Sequence, residues 1–213
     1  MSIFKACDVR GLYPEEINEA KTYRIGRAIA TILDSQKIVV GGDVRLSTPC
    51  LKTALIDGLI ASSCSVIDIG TVPTPAFYMA KNILDAKAGV MVTASHNPAD
   101  FNGLKIIMGE KPITEKELQR IRKMIETNGF LSSRGSVNCC DVMPEYIDET
   151  IKSGRELIAE VDSVPKVVLD CGSGCFSRVA PEILNNLQIP VTPLFCEPDG
   201  SFLYITLRSD GTA

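Results

Sequence analysis

The sequence predicts a layered α/β fold, and three observations carry that prediction. Short apolar runs such as Ile38-Val39-Val40 and Ala88-Gly89-Val90-Met91-Val92 alternate with longer stretches whose apolar residues recur at helical spacing. Start signals for helices stand between the runs. A second strand–helix–strand alternation begins near residue 166. The chain of 213 residues is long enough for one large or two modest domains.

Pro14-Glu15-Glu16 is expected to open the first helix, with proline at its first position and acid in its first turn. Ile25, Ala28, Ile29, Ile32 and Leu33 give that helix a core-facing stripe. Ile38 to Val40 then reads as a buried strand. Ser47-Thr48-Pro49 starts a second helix, with Leu51, Leu55 and Leu59 four residues apart. Ser65 to Ile69 is the next strand, and Thr74-Pro75 caps and opens a helix to about Leu84. Ala88 to Val92 is a strand. Asn102-Gly103 reads as a turn dipeptide leading into the run Ile106-Ile107-Met108.

Thr114 and Glu117 have the spacing of a capping box, with Ile113 placed to staple onto Leu118. Gly129 is expected to end that helix. Residues 130 to 143 are small and polar, and the pattern leaves open a connecting segment or a hairpin edge. A helical stretch runs from Pro144 to about Glu160, weakened by Gly154. Lys166 to Asp170 is a strand. Gly172-Ser173-Gly174 turns into a helix over about 177 to 187, and Val191 to Phe195 is the last strand.

Composition narrows the function. Net charge is -4 and the isoelectric point about 5.1, which argues against a general nucleic-acid surface. No run approaches a membrane span, so no membrane partner is expected. Met1-Ser2-Ile3-Phe4-Lys5 lacks the pattern of a secretory leader. The eight cysteines are therefore expected as free, buried thiols in a cytoplasmic protein.

The most informative stretch is Thr93-Ala94-Ser95-His96-Asn97-Pro98. It follows a buried strand and holds a hydroxyl beside the chain's one histidine. Loops at strand ends of α/β sheets are frequent ligand sites. A serine there can carry a phosphoryl group when cations surround it. From the residues alone, a turn-capping role for Thr93 and Ser95 stands equally.

This stretch, followed by Asn102-Gly103-Leu104-Lys105, resembles the phosphoserine loop of the α-D-phosphohexomutases, the family of the phosphomannomutase/phosphoglucomutases. Phe4-Lys5-Ala6-Cys7-Asp8-Val9-Arg10-Gly11 resembles the family's opening motif, although tyrosine is common there at the position of Cys7. Val40-Gly41-Gly42-Asp43-Val44-Arg45-Leu46-Ser47-Thr48-Pro49, Gly70 to Pro75 and Asp170 to Gly174 follow in order. The resemblance covers residues 3 to about 202. It implies an α/β/α first domain over 1–145 bearing the phosphoserine loop, the start of a similar but incomplete second domain over 146–202, and a divergent tail over 203–213.

The resemblance also implies roles. Ser95 would carry the phosphoryl group, passing it to a hexose phosphate and recovering another from the bisphosphate, so that 1-phosphate and 6-phosphate sugars interconvert. His96 would bind phosphate or steer protons. Lys105 would help as acid/base or neutralise charge, and Arg10 would offer a planar fork to phosphate oxygens, oriented by Asp8. Asp43 and Arg45 would brace the loop, while Thr93, Asn97 and Asn102 shape it. Mg²⁺ would meet the phosphate on Ser95, and a glucose 1,6-bisphosphate-type activator would charge the serine. The substrate would be glucose or mannose phosphate; the family's sugar-recognition loop, which would choose between them, has no match here.

The family's chains have four domains. Their D-x-D-x-D magnesium loop is not found in this sequence either, and Leu203 to Thr212 bears only a faint resemblance to their fourth-domain Arg-Ser-Gly-Thr phosphate loop, a frameshifted or trimmed end being the favoured reading. The sequence therefore reads as the truncated N-terminal part of a mutase, expected to turn over poorly alone and to self-associate through the uncovered edge of its incomplete second domain. The competing reading is a non-catalytic remnant that binds phosphate or a partner. A dinucleotide-binding reading is set aside, because Gly172-Ser173-Gly174 has no third glycine at Ser177.

Overall fold

A computed structural model describes residues 3–34 and 36–202. In chain order the elements are β1 (Val9–Leu12), α1 (Glu19–Leu33), β2 (Lys37–Gly42), α2 (Thr48–Ile60), β3 (Ser65–Thr71), α3 (Thr74–Ile83), β4 (Ala88–Val92), β5 (Phe101–Met108), β6 (Lys111–Pro112), α4 (Glu115–Thr127), β7 (Ser136–Cys139), α5 (Met143–Ile158), β8 (Val167–Asp170), α6 (Val179–Asn186) and β9 (Val191–Leu194). The expected divergent tail, 203–213, lies outside the described residues.

The main sheet runs β1-β5-β4-β2-β3-β7, with β6 beside β5. Strands β4, β2, β3 and β7 are parallel, and β5 turns antiparallel to both β4 and β1. Residues of β2 alternate between two apolar clusters. Ile38 and Val40 meet α1, α2 and α4 through Ile29, Leu55 and Ile121 on one face. Val39 meets Phe77 and Ala80 of α3 on the other. Burial of both faces explains why β4 is apolar throughout and fully buried. Strands β8 and β9 form a separate parallel pair joined through α6. Val168 of that pair is 68% exposed. No helix among the described residues is long and apolar enough to cross a membrane.

Several local expectations need correcting. Helix α1 starts at Glu19, where Asn18 caps it by accepting from the Lys21 amide at 3.1 Å. Pro14 sits earlier, in a chain reversal whose amides from Glu16 and Ile17 return to the Leu12 carbonyl. Thr74 is the first residue inside α3, with Pro73 before it. The capping box of Thr114 and Glu117 is present, but the left-handed residue ending α4 is Asn128 (φ 53°), not Gly129. The undecided segment contains β7, parallel to β3 and so not a hairpin arm. Gly154 has a packing reason: a Cβ there would lie 2.7 Å from Leu187 Cδ1.

Asn102-Gly103 is not a turn; both residues lie inside β5. The Asn102 amide is fully buried and donates to Ser47 Oγ (2.8 Å) and Thr48 Oγ1 (3.0 Å) at the start of α2. Gly103 admits β1, since a Cβ there would fall 2.1 Å from the Val9 carbonyl oxygen. Tertiary partners thus override the turn propensity of the pair. All eight cysteines are free, but only Cys64 is buried; Cys7 and Cys139 are exposed and the other five half-buried. Cys7 precedes the first strand and Cys139 lies on the exposed edge strand β7, which explains the difference.

Candidate functional site

The serine loop leaves the C-terminal end of β4 and returns as β5. Its entry is fixed by the Thr93 amide on the Gly103 carbonyl at 3.0 Å. Ser95 is exposed and takes a left-handed backbone (φ 58°), and its amide donates to Thr93 Oγ1 at 2.9 Å. A non-glycine residue in that region costs energy and is held only by its surroundings.

What holds it is Arg45. Its side chain is fully buried. It donates to the carbonyls of Ser95 (2.9 Å), Asn97 (2.7 Å), Pro98 (2.5 Å) and Phe101 (3.0 Å). Its Nε donates to Asp43 Oδ2 at 3.1 Å. Asp43 in turn accepts from the Arg45 amide at 3.1 Å and from Thr48 Oγ1 at 2.6 Å, so both of its carboxylate oxygens are engaged, by the loop and by α2. Burial lowers the Arg45 pKa, and Asp43 opposes that shift. A lysine could not reach four carbonyls and a carboxylate from one planar fork.

Arg10 approaches from β1, where it pairs with Gly103. Its guanidinium donates to Asn97 Oδ1 and, at 2.5 Å, to Asp8 Oδ2. The side chain remains 20% exposed, which leaves part of the fork open to a ligand. His96 is exposed, with Nδ1 3.4 Å from Ser95 Oγ. The loop therefore gathers Ser95, His96, Thr93 and Asn97 with Arg10, Asp8, Asp43 and Arg45, and Asn102 anchors β5 behind them.

Lys105 is placed differently. The register sets it opposite Met91 of β4, so both side chains leave the same sheet face. Met91 lines the cleft beside Ser95, whereas Lys105 stands beside Met91 and outside that lining, half-buried and without a side-chain hydrogen bond or ion pair to the described residues.

The cleft has a volume of about 430 Å³. Thr93, Ser95 and His96 form one wall, with Thr74 at the rim, and Cys171, Gly172, Cys175 and Phe176 form the other. That second wall is the turn after β8, which the sequence presents only as a chain reversal. Phe202 adds a further contact that sequence reasoning missed. Its ring lies under the Arg45 guanidinium, 5.3 Å from centroid to Cζ. Gly200 lets that segment close in, since a Cβ would lie 2.1 Å from the Val44 carbonyl oxygen. The glycine and aromatic were visible signals, but their partner was 155 or more residues away in the chain.

An exposed hydroxyl, an imidazole and a half-open guanidinium on one loop suit an anionic, oxygen-rich ligand such as a phosphate ester. A divalent metal finds less. No group of three or more histidine, cysteine, aspartate or glutamate side chains that could hold one is present among the described residues. The Asp43 carboxylate is engaged by Arg45 and Thr48.

Residues 1–132 match the family description "phosphoglucomutase/phosphomannomutase, alpha/beta/alpha domain I". The chain is 42% identical over 204 residues to the phosphomannomutase/phosphoglucomutase of Pseudomonas aeruginosa, covering 94% of this chain and 43% of that protein. It is 38% identical over 213 residues to a phosphomannomutase of Escherichia coli, covering 95% of this chain and 46% of the other. A phosphoglucomutase/phosphomannomutase family protein of Burkholderia thailandensis has a crystal structure that superposes with a TM-score of 0.84 at 31% identity, over 95% of this chain and 45% of that one. The chain thus spans under half the length of these relatives. A strand-end serine loop gripped by a buried arginine, and these likenesses in sequence and structure, agree: the chain belongs to the phosphoglucomutase/phosphomannomutase family.

Proposed function

We propose that the protein acts as a phosphohexomutase, interconverting hexose 1-phosphate and hexose 6-phosphate through a phosphoserine at Ser95 and a sugar bisphosphate intermediate. The observation that carries this reading is the placement of Ser95. Its hydroxyl is exposed on a cleft wall at the end of a buried strand, while Arg45 fixes the carbonyl side of its loop. A nucleophile held in one geometry needs little reorganisation when a phosphoryl donor arrives.

The other residues follow from their positions. Arg10, oriented by Asp8 and Asn97, presents the remaining N–H groups of its fork to phosphate oxygens. His96 Nδ1 is near enough to Ser95 Oγ to take or return its proton after a small movement. Lys105 supplies a cation beside Met91 and acts as acid/base or neutralises the transferring group. Asp43, Thr93 and Asn102 keep the loop and its flanking strands in place.

Glucose and mannose phosphates are the substrates that the relatives' names support. The magnesium ion implied by the resemblance would meet the phosphate carried on Ser95, and the described residues include no group of three or more histidine, cysteine, aspartate or glutamate side chains to complete a site for it. A glucose 1,6-bisphosphate-type activator serves as the phosphoryl donor to Ser95. The uncovered apolar residues Val168 and Leu194 support self-association through the β8–β9 pair, which sedimentation over a concentration series would read.

The test is the intact mass of the chain before and after incubation with glucose 1,6-bisphosphate and Mg²⁺. The expected result is a gain of one phosphoryl group that is absent in Ser95→Ala. No gain in a folded sample would overturn the reading in favour of a phosphate-binding module without transfer chemistry.

A further inference from the structure

We propose that Cys171 and Cys196 are a reversible thiol–disulfide pair at the edge of the cleft. Cys196 Sγ donates its S–H to Cys171 Sγ across 3.0 Å. The backbone sets this approach. Strands β8 and β9 are parallel neighbours with Asp170 opposite Leu194, and each cysteine stands just past the end of its strand. The Cys171 amide donates to the Leu194 carbonyl at 3.0 Å, which ties the two strand ends together. Bonded sulfurs are about 2 Å apart, so closure needs roughly 1 Å of sulfur movement, within reach of side-chain rotation.

The other thiols are placed for other things. Cys139 and Cys140 lie on or just past the edge strand of the main sheet, and Cys64 is in the main core. Cys175 is pushed up to about 12 by burial and lines the cleft together with Asp43 and Val44. Cys171 is likewise pushed up to about 12, chiefly by burial, so it begins as a thiol. Cys196, flanked by the exposed Phe195 and Glu197, is the sulfur an oxidant reaches first.

With a small-molecule disulfide as oxidant, the steps balance. Cys196 loses its proton to solvent and attacks one sulfur of glutathione disulfide, expelling a glutathione thiolate that takes up a proton. Cys171 then loses its proton and attacks the Cys196 sulfur of the mixed disulfide, expelling the second glutathione. Two protein thiols are oxidised to one disulfide and one glutathione disulfide is reduced to two thiols.

The bridge would join two segments that already lean on each other. The Ser173 amide donates to the Phe195 carbonyl at 2.8 Å, and the Asp199 amide to the Ser173 carbonyl at 2.9 Å. One of these segments forms the cleft wall facing Ser95, and the other carries Phe202 under Arg45. Oxidation thus fixes the wall to the support of the serine loop, and reduction releases it.

The 213-residue chain is incubated with glutathione disulfide, digested without reduction and mapped by mass spectrometry. The expected product is a cross-linked peptide pair joining Cys171 to Cys196, lighter by two hydrogens than the two free peptides and separated by dithiothreitol. Cys175→Ser retains it and Cys196→Ser lacks it. A map of the unsubstituted chain showing no such pair, a glutathione adduct that persists on Cys196, or a Cys171–Cys175 bridge in its place would overturn the proposal, whatever the variants do.

Discussion

Arg45 and Ser95 are joined by a hydrogen bond from the guanidinium to the Ser95 carbonyl at 2.9 Å, so the residue that exposes its hydroxyl to the cleft is held through its backbone. The same side chain binds three more carbonyls of the loop and Asp43. Loop conformation and loop chemistry are therefore separable: Ser95 can change without loss of the scaffold, and Arg45 cannot.

Arg45→Met leaves four carbonyls and the Asp43 carboxylate without their main donor. Breaking a buried charge pair by removing one partner costs about 3–5 kcal/mol, whereas Ser95→Ala at an exposed position should stay within about 0.5 kcal/mol of the parent. Urea unfolding of the two variants checks this, and a stability for Arg45→Met equal to that of Ser95→Ala would contradict the assigned role.

A second expectation concerns β1. Gly103→Ala would place a methyl group 2.1 Å from the Val9 carbonyl oxygen, in backbone rather than a flexible side chain. Overpacking of this kind costs about 1–3 kcal/mol. Because Arg10 is paired with Gly103, the variant should also displace Arg10 from Asn97 and slow phosphorylation of Ser95. The midpoint of thermal unfolding and the rate of phosphoryl incorporation report the two effects independently.

These cases show what the sequence discloses and what it withholds. Strands β2 and β4 were legible because a strand buried in a layered sheet is apolar along most of its length, and β8 because Val167-Val168-Leu169 is an apolar run even though Val168 is exposed. The start of α4 was legible because a capping box is a contract between residues three apart. Asn102-Gly103 misled for the opposite reason. Its turn propensity is local, while its actual partners, Ser47, Thr48 and Val9, are brought by the fold. Pro14 misled likewise, since Asn18 provides a better cap four residues on. The brace of Asp43 and Arg45 could be anticipated from the family resemblance, but the four carbonyls it grips could not. The second cleft wall, Phe202 and the Cys171–Cys196 approach depend on which segments meet across the chain, and no periodicity encodes that.

The capping box offers a pH test. Thr114 donates from both its backbone amide (2.8 Å) and its hydroxyl (2.7 Å) to Glu117 Oε2. The backbone bond first, then the side-chain bond, lowers the Glu117 pKa below its ordinary value of 4.5. A carboxylate whose folded pKa is depressed adds stability above its unfolded pKa and loses it as pH falls through the folded one. Thr114→Ala should cost about 1 kcal/mol at pH 7, and the gap from the parent should narrow as pH drops below 4.5. Denaturant titrations at pH 7 and at acidic pH check the sign; a gap that widens on acidification would contradict it.

The last expectation separates Lys105 from the scaffold. Lys105 lies on the face of β5 that looks toward Met91, and its ammonium makes no hydrogen bond or ion pair with the described residues. Replacing it with methionine keeps the stem that packs on the sheet and removes only the charge. Stability should therefore move by no more than about 0.5 kcal/mol. If the ammonium serves the transferring phosphoryl group, incorporation at Ser95 should fall by about 10²–10⁴-fold, the range of a lost acid/base or electrostatic contribution. Arg10→Met differs in kind, because it also frees Asn97 and Asp8 and so should lose both stability and rate. Measured together, a Lys105→Met chain that is stable and slow places that cation in the chemistry. A chain that is stable and fast confines Lys105 to the sheet and leaves Arg10 to meet the phosphate charge.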